Sequence, residues 1–152
     1  MVDVTEMQLV GFRIGEESFA APISKVQEII RNSSIVKIPK APDFVEGVIN
    51  LRGNVICVID LRKRFGMLPR ETADKQLVII AEVGEVVVGL QVDSVSDVFI
   101  VRGDQFQKIP AMAVGIDQKF IRGIVKRDEK MIIVTDIDRI LGQTESELLR
   151  AM

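Results

Sequence analysis

The chain has 152 residues, 47% of them hydrophobic, and a formal net charge of −2, so it is long enough to bury roughly 70% of its unfolded surface as one domain or two closely packed half-domains. It contains no histidine, tyrosine or tryptophan and a single cysteine, Cys57, which removes Ser-His-Asp and Cys-His catalysis, imidazole-ligated zinc and any internal disulfide. With a pI near 5.3 and basic residues scattered among acids, nucleic acid is not an expected partner.

Read from the N-terminus, Met1-Val-Asp-Val-Thr-Glu6 has neither the basic nor the apolar region of a signal peptide, and no run of about 18 apolar residues exists to cross a bilayer. The expectation is a cytoplasmic protein with no direct membrane insertion. Residues 8–14 alternate through Val10, Phe12 and Ile14 as a strand, and Gly15 supplies the turn that follows. Ile23, Val26, Ile29 and Ile30 fall at helical spacing and predict a short amphipathic helical turn over a barrel end. Arg52-Gly-Asn54 turns a hairpin whose second strand, Val55-Ile-Cys-Val-Ile59, is apolar on both faces, with Cys57 as a small core residue. Asp60 predicts the N-cap of a short helix, Leu61–Phe65, stopped by Gly66; Arg62-Lys-Arg64 reads as its solvated face.

In the second half, Leu77-Val-Ile-Ile-Ala81 is apolar on both faces, Gly84 marks a turn, and Val86, Val88, Leu90 and Val92 alternate with Val87, Gly89, Gln91 and Asp93. Arg127-Asp-Glu129 turns a second long hairpin, and Asp136 predicts an N-cap before Ile137–Leu141, stopped by Gly142. Asp136-Ile-Asp138 lacks the glycine and the terminal Glu of a calcium loop, and Gly47 and Gly53 do not fall in a phosphate-cradle spacing. No cofactor, metal or catalytic residue is expected. A small hydrolase built on a carboxylate pair or an activated lysine would need convergent acids that cannot be located in the sequence.

The chain repeats itself. Residues 44–66 align without a gap to residues 120–142 at an offset of 76, with identities at Phe44/Phe120, Gly47/Gly123, Ile56/Ile132, Val58/Val134, Asp60/Asp136 and Gly66/Gly142, three times what composition gives by chance, roughly two. Upstream, Gln8-Leu-Val echoes Gln76-Leu-Val, Gly15-Glu16 echoes Gly84-Glu85, and Lys37-Ile-Pro39 echoes Lys108-Ile-Pro110, the offset drifting from 68 to 71 through loops. The expected architecture is all-β: one domain over 1–152 made of two intertwined five-stranded barrels, with half-modules near 15–78 and 79–142 and strand 8–14 pairing into the second. Two such modules without a flexible linker form a seam suited to holding partners, and function is expected there. Glu28 and Arg52 are candidates for an internal ion pair, or either charge faces a partner.

These residues resemble the CheW family of bacterial chemotaxis coupling proteins: Val26-Gln-Glu-Ile29, Ile38-Pro39, Phe44-Val-Glu-Gly-Val-Ile-Asn-Leu-Arg-Gly53, Val58-Ile-Asp-Leu61 and Val88-Gly-Leu-Gln-Val-Asp93 carry the likeness, over about Gln8 to Gly142. The resemblance implies SH3-like barrels and a non-enzymatic adaptor. Its partners would be the cytoplasmic tip of methyl-accepting chemotaxis receptors and the regulatory domain of the histidine kinase CheA, at membrane receptor arrays. It implies receptor contacts at Val26, Glu28, Ile29, Leu77 and Val78, each apolar one otherwise core or barrel surface, and kinase contacts at Gly47, Ile49, Leu51 and Arg52, the last being structural or a contact. A coupling protein of a non-flagellar array, for twitching motility or development, would share every motif. Many members carry proline where this chain has Cys57, which leaves the shape of the kinase-facing edge open.

Overall fold

A computed structural model describes residues 5–31, 34–67, 77–108, 116 and 118–142. Gln76, Ile109 and Pro110, which helped align the repeats, lie outside the described residues. The ten strands are β1 (Glu6–Ile14), β2 (Glu17–Pro22), β3 (Val26–Arg31), β4 (Val45–Leu51), β5 (Asn54–Asp60), β6 (Leu77–Val83), β7 (Val86–Val92), β8 (Ser94–Arg102), β9 (Ile121–Arg127) and β10 (Lys130–Thr135), with one α-helical turn, α1 (Leu61–Arg64), after β5. They form two five-stranded sheets, in the orders β3-β6-β7-β5-β4 and β8-β1-β2-β10-β9. The fold is all-β, as the alternating and doubly apolar runs require.

The two sheets are the same object built twice. In the first, Val45 faces Ile59 and Leu51 faces Asn54; in the second, the residues 76 further on, Ile121 with Thr135 and Arg127 with Lys130, face each other likewise. The parallel pair Cys57–Val88 is matched by Ile133–Phe19, and the isolated bridge Val36–Val48 by Gln107–Ile124. Even the link that closes each hairpin onto its helix recurs: Asp60 N–H donates to Phe44 O and Asp136 N–H to Phe120 O, both at 2.8 Å.

Sequence order and sheet membership do not coincide. The half-modules expected at 15–78 and 79–142, with strand 8–14 in the second, leave out two placements: β2 goes with β1 beside β8–β10, and β6 and β7 join β3–β5. Each repeat has sent its N-terminal hairpin into the other repeat's sheet. The exchange is possible because β1–β2 and β6–β7 pair in the same register, Arg13 with Ser18 as Glu82 with Val87, so either hairpin presents a similar edge.

Each barrel has a small interior of its own, Ile49, Ile56, Val58, Val78 and Ile80 in the first and Leu9, Phe99, Val125, Ile132 and Val134 among others in the second. The larger core lies between them and, among the described residues, draws twenty buried side chains from both. Strands β2, β6, β7 and β10 are apolar on both faces because one face fills a barrel and the other fills the seam. Phe12, Phe19, Phe65 and Phe120 run through the seam with successive ring centroids 5.5–5.7 Å apart. The seam expected to hold partners is, along this line, packed core.

The segment expected to be a helical turn is mostly strand. Only Ile23–Lys25 is helical, a single 3₁₀ turn, and Val26–Arg31 is the edge strand β3. Val26, Glu28 and Ile30 are half-buried while Gln27, Ile29 and Arg31 are exposed, an alternation that sets the adjacent Ile29 and Ile30 on opposite faces, where a helix would have put them on one. The short helix α1 matches expectation at its start: Asp60 Oδ1 accepts from Arg62 N–H at 2.9 Å and from Lys63 N–H at 3.4 Å. Asp136 departs from it. Its carboxylate makes no cap and instead lies 3.4 Å from Arg139 Nε, over a 3₁₀ turn at Ile137–Arg139.

Nor is Arg62-Lys-Arg64 a solvated face. Arg62 pairs with Asp93 at 2.8 Å, and that carboxylate also accepts from Gly15 N–H in the β1–β2 turn at 2.6 Å. Arg64 donates to Ile140 O at 2.6 Å with its guanidinium 4.3 Å from the Phe44 centroid and 5.1 Å from the Phe120 centroid. Of the three, Lys63 alone is fully on the surface. The reverse contact comes from the other repeat, where Asp138 accepts from Gly84 N–H in the β6–β7 turn at 3.2 Å and pairs with Lys25. The helix of each repeat thus reaches the hairpin turn across the seam.

Candidate partner-binding surface

β3 and β4 are the two edges of the first sheet, and curling brings them together at Glu28 and Arg52. The β4–β5 turn has two central residues, Arg52 at φ 52° and Gly53 at φ 87°, the positive pair of a type I′ turn, whose twist suits a hairpin. Asn50 Oδ1 accepts from Gly53 N–H at 2.8 Å and holds the turn. Arg52 so presented makes a bidentate pair with Glu28, Nη1 to Oε1 at 3.2 Å and Nη2 to Oε2. The hydrogen bond from Arg52 holds the Glu28 carboxyl below its ordinary value, and the same bond raises Arg52.

The second barrel carries the counterpart. Asp97 on β8, the strand equivalent to β3, accepts from Arg127 at 3.1 and 2.9 Å. Although Arg127 stands at the register position of Leu51 and not of Arg52, an arginine–carboxylate clasp joins the same two edge strands in both repeats, which makes barrel closure one role of the Glu28–Arg52 pair. The pair still leaves the Arg52 side chain 69% exposed, so closure and a partner contact are compatible.

The remaining sequence-derived positions divide by the direction their strands give them. Ile29 stands outward at 40% exposure, and Val26 and Leu77 are half-buried where they pack on the shared core. Val78 is fully buried, inside the first barrel beside Ile49, which is 3% exposed; neither side chain reaches the surface. Leu51 lies half-buried over the same interior. Gly47 is buried too, and a Cβ there would come within 2.3 Å of Val36 O and 2.7 Å of Ile35 Cγ2, so glycine is required by the close crossing of residues 35–36 over β4. Of the positions expected to contact partners, Glu28, Ile29 and Arg52 have side chains that reach the surface. Val55 at 66%, Val36 at 64%, Ile100 at 55% and Val98 at 48% exposure are further apolar side chains at the surface that the sequence did not single out, because strands with apolar residues on both faces give no sign of which face is covered.

Cys57 is 6% exposed on an interior strand of the sheet, paired with Val48 on one side and Val88 on the other. Burial pushes its thiol up to about 11. The site therefore offers a clasped ion pair, one outward isoleucine and an arginine-tipped turn. Among the described residues no group of three or more Cys, Asp or Glu is placed to hold a metal ion, and no helix is long and apolar enough to cross a membrane.

The CheW-like domain family model matches residues 8–145. The chain belongs to the CheW-like domain family. Within it, this CheW-like chain is 37% identical over 142 residues to a Rhizobium etli protein named as a probable chemotaxis protein CheW, covering 93% of this chain and 92% of that one. It is 36% identical over 138 residues to the Klebsiella aerogenes chemotaxis protein CheW, covering 91% and 83%. The crystal structure of the scaffolding protein TtCheW from Thermoanaerobacter tengcongensis superposes with a TM-score of 0.83 at 38% identity, over 91% of this chain and 89% of that one. The CheW-like fold agrees with the paired sheets described above.

Proposed function

We propose that this chain is a non-enzymatic scaffold of bacterial chemotaxis that holds the cytoplasmic tip of methyl-accepting receptors and the regulatory domain of the histidine kinase CheA in one complex. The observation that carries this reading is the likeness, at 36–38% identity and nearly full length, to two proteins named CheW and to a structure described as a scaffolding protein. A cytoplasmic location at membrane receptor arrays follows from that role.

The receptor surface of this reading is the β3 edge: Ile29 as the apolar contact and Glu28 beside it, with Val26 and Leu77 at its margin and Val78 supporting it from below. The kinase surface is the β4–β5 hairpin. Arg52 contacts the partner, Leu51 backs it, and Gly47 and Ile49 set the hairpin's path from inside. The exposed backbone of an edge strand together with one apolar anchor suits a partner that docks by surface complementarity.

The test is a pull-down of the purified chain with a CheA regulatory domain and, separately, with a receptor signalling-tip fragment, using wild type, Arg52→Ala and Ile29→Glu, each checked for folding by circular dichroism. Arg52→Ala is expected to weaken kinase capture at least tenfold, and Ile29→Glu to do the same for the receptor. Absence of both captures by the folded wild type overturns the reading.

A further inference from the structure

Because the two barrels share register residue for residue, each position in one has a counterpart in the other, and the places where the counterparts differ in size and charge show what one barrel has that its twin lacks. The largest such difference is at the turn end of the barrels. In the first, that end is plugged: Ile80 is fully buried, with Val87 and Leu51 packed against the interior. Their counterparts in the second are Gly11, Ser18 and Arg127, by the same strand pairings.

Arg127 does not fill the space Leu51 fills, since its guanidinium is drawn to Asp97 and rests 4.4 Å above the Phe99 ring. A cavity of about 260 Å³ remains at this mouth, with Phe99, Phe19 and Ile132 among its lining. That is just below the range of ligand-sized pockets, about 300–1,000 Å³, so only a small ligand fits.

The rim has changed sign as well. Glu82 and Asn54 in the first barrel correspond to Arg13 and Lys130 in the second, and both cations line the cavity. Arg127 is neutralised by Asp97, and Asp128 is the other acid at the mouth, so three cations face two carboxylates. Arg13 makes one long hydrogen bond, 3.5 Å to Glu16 O, and Lys130 forms no ion pair among the described residues. Two cations with donors to spare stand over an aromatic and aliphatic floor, with the Ser18 hydroxyl beside them.

We propose that the open mouth of the second barrel binds a small amphipathic carboxylate, its head held by Arg13 and Lys130 and its short apolar body laid against Phe99 and Ile132. An ionised head is selected because charge-assisted hydrogen bonds are the strong ones and the floor is partly shielded from water. An apolar tail is selected because the floor offers it a surface already formed.

Octanoate is the probe, titrated into the intact chain by calorimetry, with backbone amide shifts in ¹H–¹⁵N spectra to place it. The expected result is saturable one-to-one binding with shifts confined to Gly11, Ser18, Ser96 and Lys130, and at least tenfold weaker binding of the uncharged analogue octanamide. Ser18→Val, which copies Val87, and Arg13→Glu, which copies Glu82, are each expected to weaken octanoate at least tenfold while leaving the spectrum of the first barrel unchanged. The proposal is overturned by absence of saturable binding to the folded wild type, by shifts that map elsewhere, or by affinity that survives both substitutions.

Discussion

Cys57 shows how a single buried group ties stability to pH. Unfolded, its thiol ionises near 9; folded, burial delays ionisation to about 11. Below pH 9 both states are protonated and there is no effect. Between pH 9 and 11 the unfolded state has lost a proton that the folded state keeps, so stability falls by about 1.4 kcal/mol per pH unit, roughly 2–3 kcal/mol in all. Urea denaturation at pH 8, 9, 10 and 11 is expected to show this decline as the difference between wild type and Cys57→Ala; parallel curves would contradict it. Gly47 supplies a second residue-scale expectation. Gly47→Ala forces a Cβ to within 2.3 Å of a backbone oxygen and is expected to cost roughly 1–3 kcal/mol or more. Weakened kinase capture by that variant would accompany a lower Tm, whereas Arg52→Ala should weaken capture with the Tm nearly unchanged.

Among the elements, the two long hairpins are equivalent in register but not in turn chemistry. The first uses Arg52-Gly53; the second puts Asp128 at φ 51° and Glu129 at φ 64°, a conformation costly for a residue with a Cβ. Glu129→Gly is therefore expected to stabilise the protein by about 1 kcal/mol in urea denaturation; destabilisation would show that the turn's side chains hold it. The turns, the doubly apolar strands and the duplication were legible in the sequence because glycine placement and two-residue periodicity are local signals. β3 was not, since Ile23, Val26, Ile29 and Ile30 fall at helical spacing, and the strand was decided by pairing with β6, about fifty residues away. The same limit separates the site residues: Glu28 and Arg52 could be matched by charge, while Val78 and Ile49 are apolar in apolar runs and only the folded sheet shows that they face the barrel interior.

For the whole molecule, the exchange of hairpins between repeats makes the halves interdependent. A chain of residues 1–75 would hold β1 and β2 without the sheet they complete, and β3–β5 without β6 and β7 between them. That fragment is expected to be unfolded by circular dichroism, with the intact chain melting in one transition; a folded, monomeric half would contradict this account of the seam. The sequence reading put strand 8–14 with the second module but not β2, nor β6 and β7 with the first, because the repeats are colinear and either hairpin would satisfy either sheet's register. The shared core, with Arg64 between Phe44 and Phe120 at its margin, fixes the two barrels in one arrangement, so surfaces on different edges are held at constant separation. That rigidity is what a scaffold requires, and it makes the central claim one about simultaneous binding. The most direct test is sedimentation velocity of the folded chain with a CheA regulatory domain and a receptor signalling-tip fragment together. The account predicts a ternary species larger than either binary complex, lost when the chain is left out; binding of neither partner, or strict competition between them, would contradict it.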